Sequence, residues 1–121
     1  MQYVSLTDAL QIVDSLGFHV KDVGLLDSAL ARPSASMFGV DAYETLAGKA
    51  AALHQSLVKN HSLIDGNKRC SWFLLNLFLE LNSCELEMTT EQGMDFTLGV
   101  AESRYDIEQA AAIIEAHLKS L

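Results

Sequence analysis

Asn67-Lys-Arg-Cys-Ser-Trp-Phe-Leu-Leu-Asn-Leu-Phe-Leu-Glu-Leu81 decides the architecture. Cys70, Trp72, Phe73, Leu74, Leu75, Leu77, Phe78, Leu79 and Leu81 make a helix over this stretch apolar almost all round. A helix of roughly four turns with that pattern is the central element of a bundle, covered on most sides. It is too short, and too polar at both ends, to span a bilayer. Asn82-Ser83 ends it.

Working outward, the neighbouring segments read as amphipathic helices with their own caps. Asp41 and Glu44 form a capping pair ahead of a long helix whose inner face holds Tyr43, Leu46, Ala50, Leu53, Leu57 and Val58, running to about Lys59. Ser5 with Asp8 opens a first helix through Leu6, Leu10, Val13 and Leu16, stopped by Gly17. Asp22 caps a short second helix through Leu25, Leu26, Ala29 and Leu30, ended by Pro33. Ser34 to Val40 lacks a period and reads as a loop or short extended flap. Beyond the central helix, Leu86 and Met88 alternate with Glu85 and Glu87, which predicts a short edge strand. Thr89 caps a helix to about Ala101, and Asp106 caps the last, with Ile107, Ala110, Ala111, Ile114 and Leu118 facing inward. The expected fold is all-α, one domain over residues 1–121, with at most a short β-hairpin or flap.

Composition narrows the function. Acids outnumber bases 16 to 8, for a net charge of −8. Such a chain is repelled by nucleic acid and by anionic membranes, so neither is expected as a direct partner. Cys70 and Cys84 have neither the density of a disulfide scaffold nor the spacing of a zinc site. Ser5, Thr7, Asp8, Gln11 and Asp14 interrupt the N-terminal apolar residues, so a signal peptide is not expected and a reducing cytoplasm is the default location.

The charge is unevenly spread. Between Glu44 and Glu80 the only acid is Asp65, while Lys49, Lys59, Lys68, Arg69, His54 and His61 share that window. Asp65-Gly66 is a strong turn signal leading straight into a helix start. The first N–H groups of a helix lack intrahelical partners, and the helix dipole adds positive potential there. Gly66 lets a phosphate approach the backbone, so the turn reads as a phosphate cradle. Lys68 and Arg69 oppose the dipole in the first turn, a conflict that a bound polyanion resolves. Asp65 is the natural ligand for a magnesium ion on phosphate oxygens. Asn67 can donate its side-chain amide, and Arg69 can hold two oxygens. His61 is placed to act as general base, the usual role of an imidazole toward a hydroxyl nucleophile. The plain alternative is a helix-connecting turn without chemistry. His54 and His117 read as structural or solvated. Arg69, Asn76 and Glu80 share a helical face, either a strip that orients Arg69 or simply the wetter side.

His61-Ser-Leu-Ile-Asp-Gly-Asn-Lys-Arg69 resembles the signature of the Fic/Doc superfamily, in which a His, an apolar residue two later, an acid, Gly or Ala, Asn and Arg lie in a loop entering a helix. Most AMP-transferring members carry Gly after the Asn and a second Arg three residues beyond the first; here those positions are Lys68 and Trp72. The Asn-Lys-Arg form is similar to the death-on-curing (Doc) toxin branch, as are Gly24-Leu-Leu-Asp-Ser-Ala-Leu-Ala-Arg-Pro33 and the segment to Tyr43. Leu63 stands where many members have Phe, and Gly66 where the type Doc toxin has Ala.

The resemblance implies a helical Fic-type bundle and a kinase-like toxin that moves the γ-phosphate of ATP onto a hydroxyl of the elongation factor delivering aminoacyl-tRNA, stopping translation. The nucleotide would lie reversed relative to the AMP-transferring relatives. His61 would activate the hydroxyl, Asp65 would hold Mg2+, Gly66 and Asn67 would line the anion hole, and Lys68 and Arg69 would bind phosphates. Ser34 to Val40 lies where the family has a flap that aligns a target segment. A cognate antitoxin acting in trans is expected, because neither end carries a convincing self-inhibiting segment. Transfer of AMP, or a non-catalytic binding module, are the alternatives.

Overall fold

The apolar stretch forms helix α4 (Asn67–Leu81), which packs lengthwise against α3 (Leu46–Lys59). Leu74, Leu75, Phe78 and Leu79 of α4 are fully buried, facing Ala47, Ala50, Ala51, Leu53 and Leu57 of α3 in one core. The small residues of α3 let the two helices approach closely. Each buried leucine contributes about 1.5–3 kcal/mol relative to an exposed one. The computed structural model describes residues 1–121.

Around this pair lie α1 (Leu6–Ser15), α2 (Val23–Ala31), α5 (Thr90–Ala101) and α6 (Ile107–His117). Helix α6 packs on α3, and α5 packs on both α3 and α4. The sheet content is two small antiparallel pairs: β1 (Ser36–Met37) with β2 (Val40–Asp41), and β3 (Cys84–Leu86) with β4 (Leu118–Ser120). The helical bundle with a short flap is thus as expected. Coverage of α4 is less complete than expected, since Phe73 and Leu81 are exposed along one side.

The caps follow the sequence, with one exception. Ser5, Asp22, Thr89 and Asp106 each accept a bond from the backbone N–H three residues on. Helix α3 does not start at the Asp41–Glu44 pair. Asp41 lies in β2, where its carboxylate pairs with buried Lys49 at 3.2 Å. The hairpin keeps the chain extended until Thr45, whose Oγ1 accepts from the Gly48 N–H at 3.0 Å. Tyr43 therefore precedes the helix, and its hydroxyl accepts from Arg32 Nε at 3.0 Å.

Two ends also differ. Helix α2 stops at Ala31, and Pro33 lies inside a 3-10 turn, Arg32–Ser34, where its missing N–H costs nothing. Leu118 does not continue the last helix; it leaves at His117 to pair with Leu86. No helix is long and apolar enough to cross a membrane.

His54, on the inner face of α3, is wholly buried. Its Nε2 shares a 3.0 Å hydrogen bond with Thr97 Oγ1 on α5, and its ring stacks on Phe96 at 5.2 Å. Nδ1 has no partner. Burial lowers its pKa from 6.5 to about 3, so the imidazole is neutral when folded. Below pH 6.5 the unfolded chain takes up a proton that the folded chain refuses. Stability should therefore fall by about 1.4 kcal/mol per pH unit as pH drops from 6.5 toward 3. Urea unfolding at pH 6.5 and pH 5 should show a loss of about 2 kcal/mol from this group, and His54→Gln should lose measurably less. Identical pH dependence in the two proteins would mean that His54 already carries its proton in the native state.

Candidate active site

The loop between α3 and α4 is built by bonds to its own backbone and to one distant strap. After the α3 cap at Asn60, His61 adopts φ +52°, a left-handed conformation uncommon for a residue with a side chain. That turn drops Ser62 and Leu63 into the interior, where both are buried, and leaves His61 exposed. The segment Phe18–Asp22, joining α1 to α2, runs alongside. Lys21 and Asp22 N–H groups donate to Ser62 O at 2.8 and 3.0 Å, and Ile64 N–H donates to His19 O at 3.0 Å. Val20 and Leu63 form an antiparallel bridge.

Asn67 closes the loop from the other side. Its Oδ1 accepts from Leu63 N–H and its Nδ2 donates to Leu63 O, both at 3.1 Å. One amide hydrogen is thereby engaged and the second is not, so Asn67 can still offer a phosphate that hydrogen as well as its backbone N–H.

Gly66, at φ +80°, makes the bend into α4. Its own N–H donates to Asp65 Oδ1 at 2.7 Å. Unlike the other five α-helices, α4 has no side-chain cap. Its first main-chain bond is Cys70 N–H to Gly66 O, so the N–H groups of Asn67, Lys68 and Arg69 remain unpaired. Lys68 and Arg69 are exposed and form no ion pair or side-chain hydrogen bond. Three free donors, a dipole end and two unpaired cations converge on one spot, in a chain of net charge −8.

A cleft of about 360 Å³ opens there. All six residues marked in the sequence line it: His61, Asp65, Gly66, Asn67, Lys68 and Arg69. The other cationic residues of the same window do not. Lys49 is buried between Pro33 O and Asp41. Lys59 bonds Ser103, and His54 lies in the core. Nor does the Arg69–Asn76–Glu80 face form a network, since Asn76 Nδ2 donates to Trp72 O at 2.9 Å. Phe18, Val58 and Ile64 complete the lining and were not expected. Val58 was legible only as core. Phe18 had no periodic signal, and only the run Gly17-Phe18 marked that bend.

Fit to a metal and to phosphate rests on these groups. No cluster of three or more His, Cys, Asp or Glu side chains could hold a metal by itself. Asp65 keeps Oδ2 free while Oδ1 is engaged, which suits a magnesium ion that takes one carboxylate and phosphate oxygens. The uncapped helix start suits an anion.

A buried central helix, a signature loop entering its N-terminus and a cationic cleft at that junction define a family. The Fic/DOC family profile matches residues 3–79, and the chain belongs to that family. It is a family of nucleotide-using transferases. The chain is also 46% identical, over 95 residues, to a protein named Toxin Doc from Mycolicibacterium smegmatis (strain ATCC 700084 / mc(2)155); the match covers 77% of this chain and 73% of that protein.

Asn67→Ala removes both bonds to Leu63 and strands two polar groups of its backbone, at a cost of about 1–3 kcal/mol. The melting temperature should fall by several degrees, with Asn67→Asp intermediate because it keeps the acceptor. An unchanged transition in Asn67→Ala would show that the loop is held by the strap alone.

Proposed function

We propose that this chain is the toxin of a toxin–antitoxin module and that it transfers the γ-phosphate of ATP to a hydroxyl of a protein target, the elongation factor that delivers aminoacyl-tRNA. The observation that carries the reading is the uncapped start of α4, with its three free N–H groups and unpaired Lys68 and Arg69, in the same cleft as the exposed imidazole of His61. The 46% identity to Toxin Doc supports the toxin assignment, with a cognate antitoxin acting in trans. ATP and this target place the protein's work in the cytoplasm.

The roles follow from position. The backbone N–H groups of Asn67, Lys68 and Arg69 take the phosphate oxygens, while the space that a side chain on Gly66 would need is filled by the Phe18 ring. Lys68 and Arg69 add charge, and Arg69 can hold two oxygens. Asp65 offers Oδ2 to a magnesium ion, whose chemistry when bound is to neutralise phosphate charge. His61 removes the proton from the target hydroxyl. That oxygen then forms a bond to the γ-phosphorus, the bond from the γ-phosphorus to the bridging oxygen breaks, ADP leaves, and the imidazolium returns its proton to solvent. The cleft of about 360 Å³ lies within the range of ligand pockets (roughly 300–1,000 Å³).

Trp72 favours phosphate transfer over AMP transfer. It replaces the second arginine of the AMP-transferring pattern, and its indole packs on Gly93 of α5, where a Cβ would come 2.6 Å from Cε2. It lines no part of the cleft. Gly66, which stands where the type Doc toxin has Ala, has a local cause in its positive φ and in the Phe18 ring against it.

The target would meet the β1–β2 hairpin, whose tip residue Phe38 is 99% exposed beside the less fully exposed Met37 and Val40.

With γ-labelled ATP, the elongation factor should gain label and the mass of one phosphate. Label arriving only from α-labelled ATP would establish nucleotide transfer instead. His61→Ala should lower turnover by roughly 10²–10⁴-fold with an unchanged melting temperature. Arg69→Ala and Lys68→Ala should chiefly raise the KM for ATP. Full activity of His61→Ala would remove the imidazole from the reaction, and absence of any ATP turnover in the wild type would leave a binding module.

A further inference from the structure

Gly66 is the bend at which the loop enters α4, and its C=O accepts from the Cys70 N–H at 2.9 Å. Glycine is the most permissive residue, and at φ +80°, ψ +16° it has no Cβ to restrict it. It carries no cap, and its N–H is bonded only to the neighbouring Asp65 carboxylate. What occupies the missing side-chain position is Phe18. A Cβ built on Gly66 would come 2.6 Å from Phe18 Cζ and closer still to Cδ1 and Cε1. The half-buried ring also forms one wall of the cleft.

Phe18 is itself fixed from both sides. Its N–H donates to Val13 O at 3.1 Å, which ties it to the end of α1, and Gly17 at φ +83° makes the bend. On the other side the strap is stitched to Ser62, Leu63 and Ile64 by the main-chain bonds described above. The ring therefore arrives at Gly66 on a braced support. The Asn67 clamp closes the loop from Leu63 to Asn67 on one side of Gly66, and the Phe18 ring is what packs against Gly66 itself.

We propose that Phe18 is a positioning residue: its ring holds Gly66 in the left-handed conformation that aims the N–H groups of Asn67, Lys68 and Arg69 into the cleft. The consequence for anion capture rests on the phosphate-binding reading of that cleft. Pre-aimed donors bind without reorganising, so loosening Gly66 should weaken capture while every charged group stays in place. The same contact explains why position 66 is glycine here and predicts that the two positions are sterically coupled.

The test has two arms on the full chain. In ligand-free protein, the 15N–1H resonances of Gly66, Asn67, Lys68 and Arg69 should shift or broaden in Phe18→Ala, while those of Ser62 and Leu63 hold. Affinity for magnesium-ATP and for tripolyphosphate, by calorimetry, should fall about tenfold or more in Phe18→Ala and recover most of the way in Phe18→Leu. Gly66→Ala should weaken binding more in the wild type than in the Phe18→Ala background. Wild-type resonances and affinities in Phe18→Ala would overturn the proposal. If Phe18→Ala does not fold, Phe18→Val, shorter than the leucine that restores the contact, takes its place in both arms, and the steric coupling to Gly66→Ala decides. If the wild type binds neither probe, the phosphate reading falls, and the resonance arm alone decides whether Phe18 fixes Gly66.

Discussion

The two hydrogen bonds between the Asn67 side chain and the backbone of Leu63 tie the buried half of the molecule to its exposed chemistry. Leu63 is in the core, so it cannot move without opening a cavity. Through it the loop is fastened to the hydrophobic cluster below, to the α1–α2 strap beside it and to the first residue of α4 above. His61 and Asp65 sit two residues to either side of this anchor and are exposed because Leu63 is not. The left-handed His61 is part of the same arrangement: such a backbone persists only when its surroundings over-determine it.

Against that frame the electrostatics become simple. A strongly acidic chain satisfies five helix starts with its own side chains and leaves one bare. It also spends two other lysines elsewhere. Lys49 pairs with Asp41 and Lys59 bonds Ser103, so neither adds charge to the cleft. The local positive potential comes from the α4 dipole, Lys68 and Arg69. The acidic remainder of the chain makes this small region the natural landing point for an anion.

Much of this was legible in the residues, for identifiable reasons. Helix starts are local events, so Ser5, Asp22, Thr89 and Asp106 announced theirs correctly. The site was legible because it is nearly continuous: one loop and one helical turn contain all six marked residues. Reading failed where tertiary partners decide. Asp41 has the chemistry of a cap, but the hairpin and buried Lys49 claimed it, and Thr45 took the role. Asn67 was read as a phosphate ligand, and its bonds from Oδ1 and one amide hydrogen to the Leu63 backbone could not be read from the sequence. Phe18 was invisible because its meaning lies in Gly66, far away in the chain. Lys49 was counted in the positive window for the same reason, since its burial depends on packing beneath the hairpin.

The hairpin has one more physical consequence. Phe38 and Gly39 both take positive φ, which closes a two-residue turn whose twist suits the strands. Its base is tethered twice: Lys49 grips Pro33 O and Asp41, and Arg32 grips Tyr43, Gln55 and Ser56. So mounted, the tip presents its aromatic ring to water. Any molecule that covers it gains roughly 1.5–3 kcal/mol from Phe38 alone. Part of the ordering that such a contact needs is already in place at the base, where those bonds hold Asp41 and Tyr43.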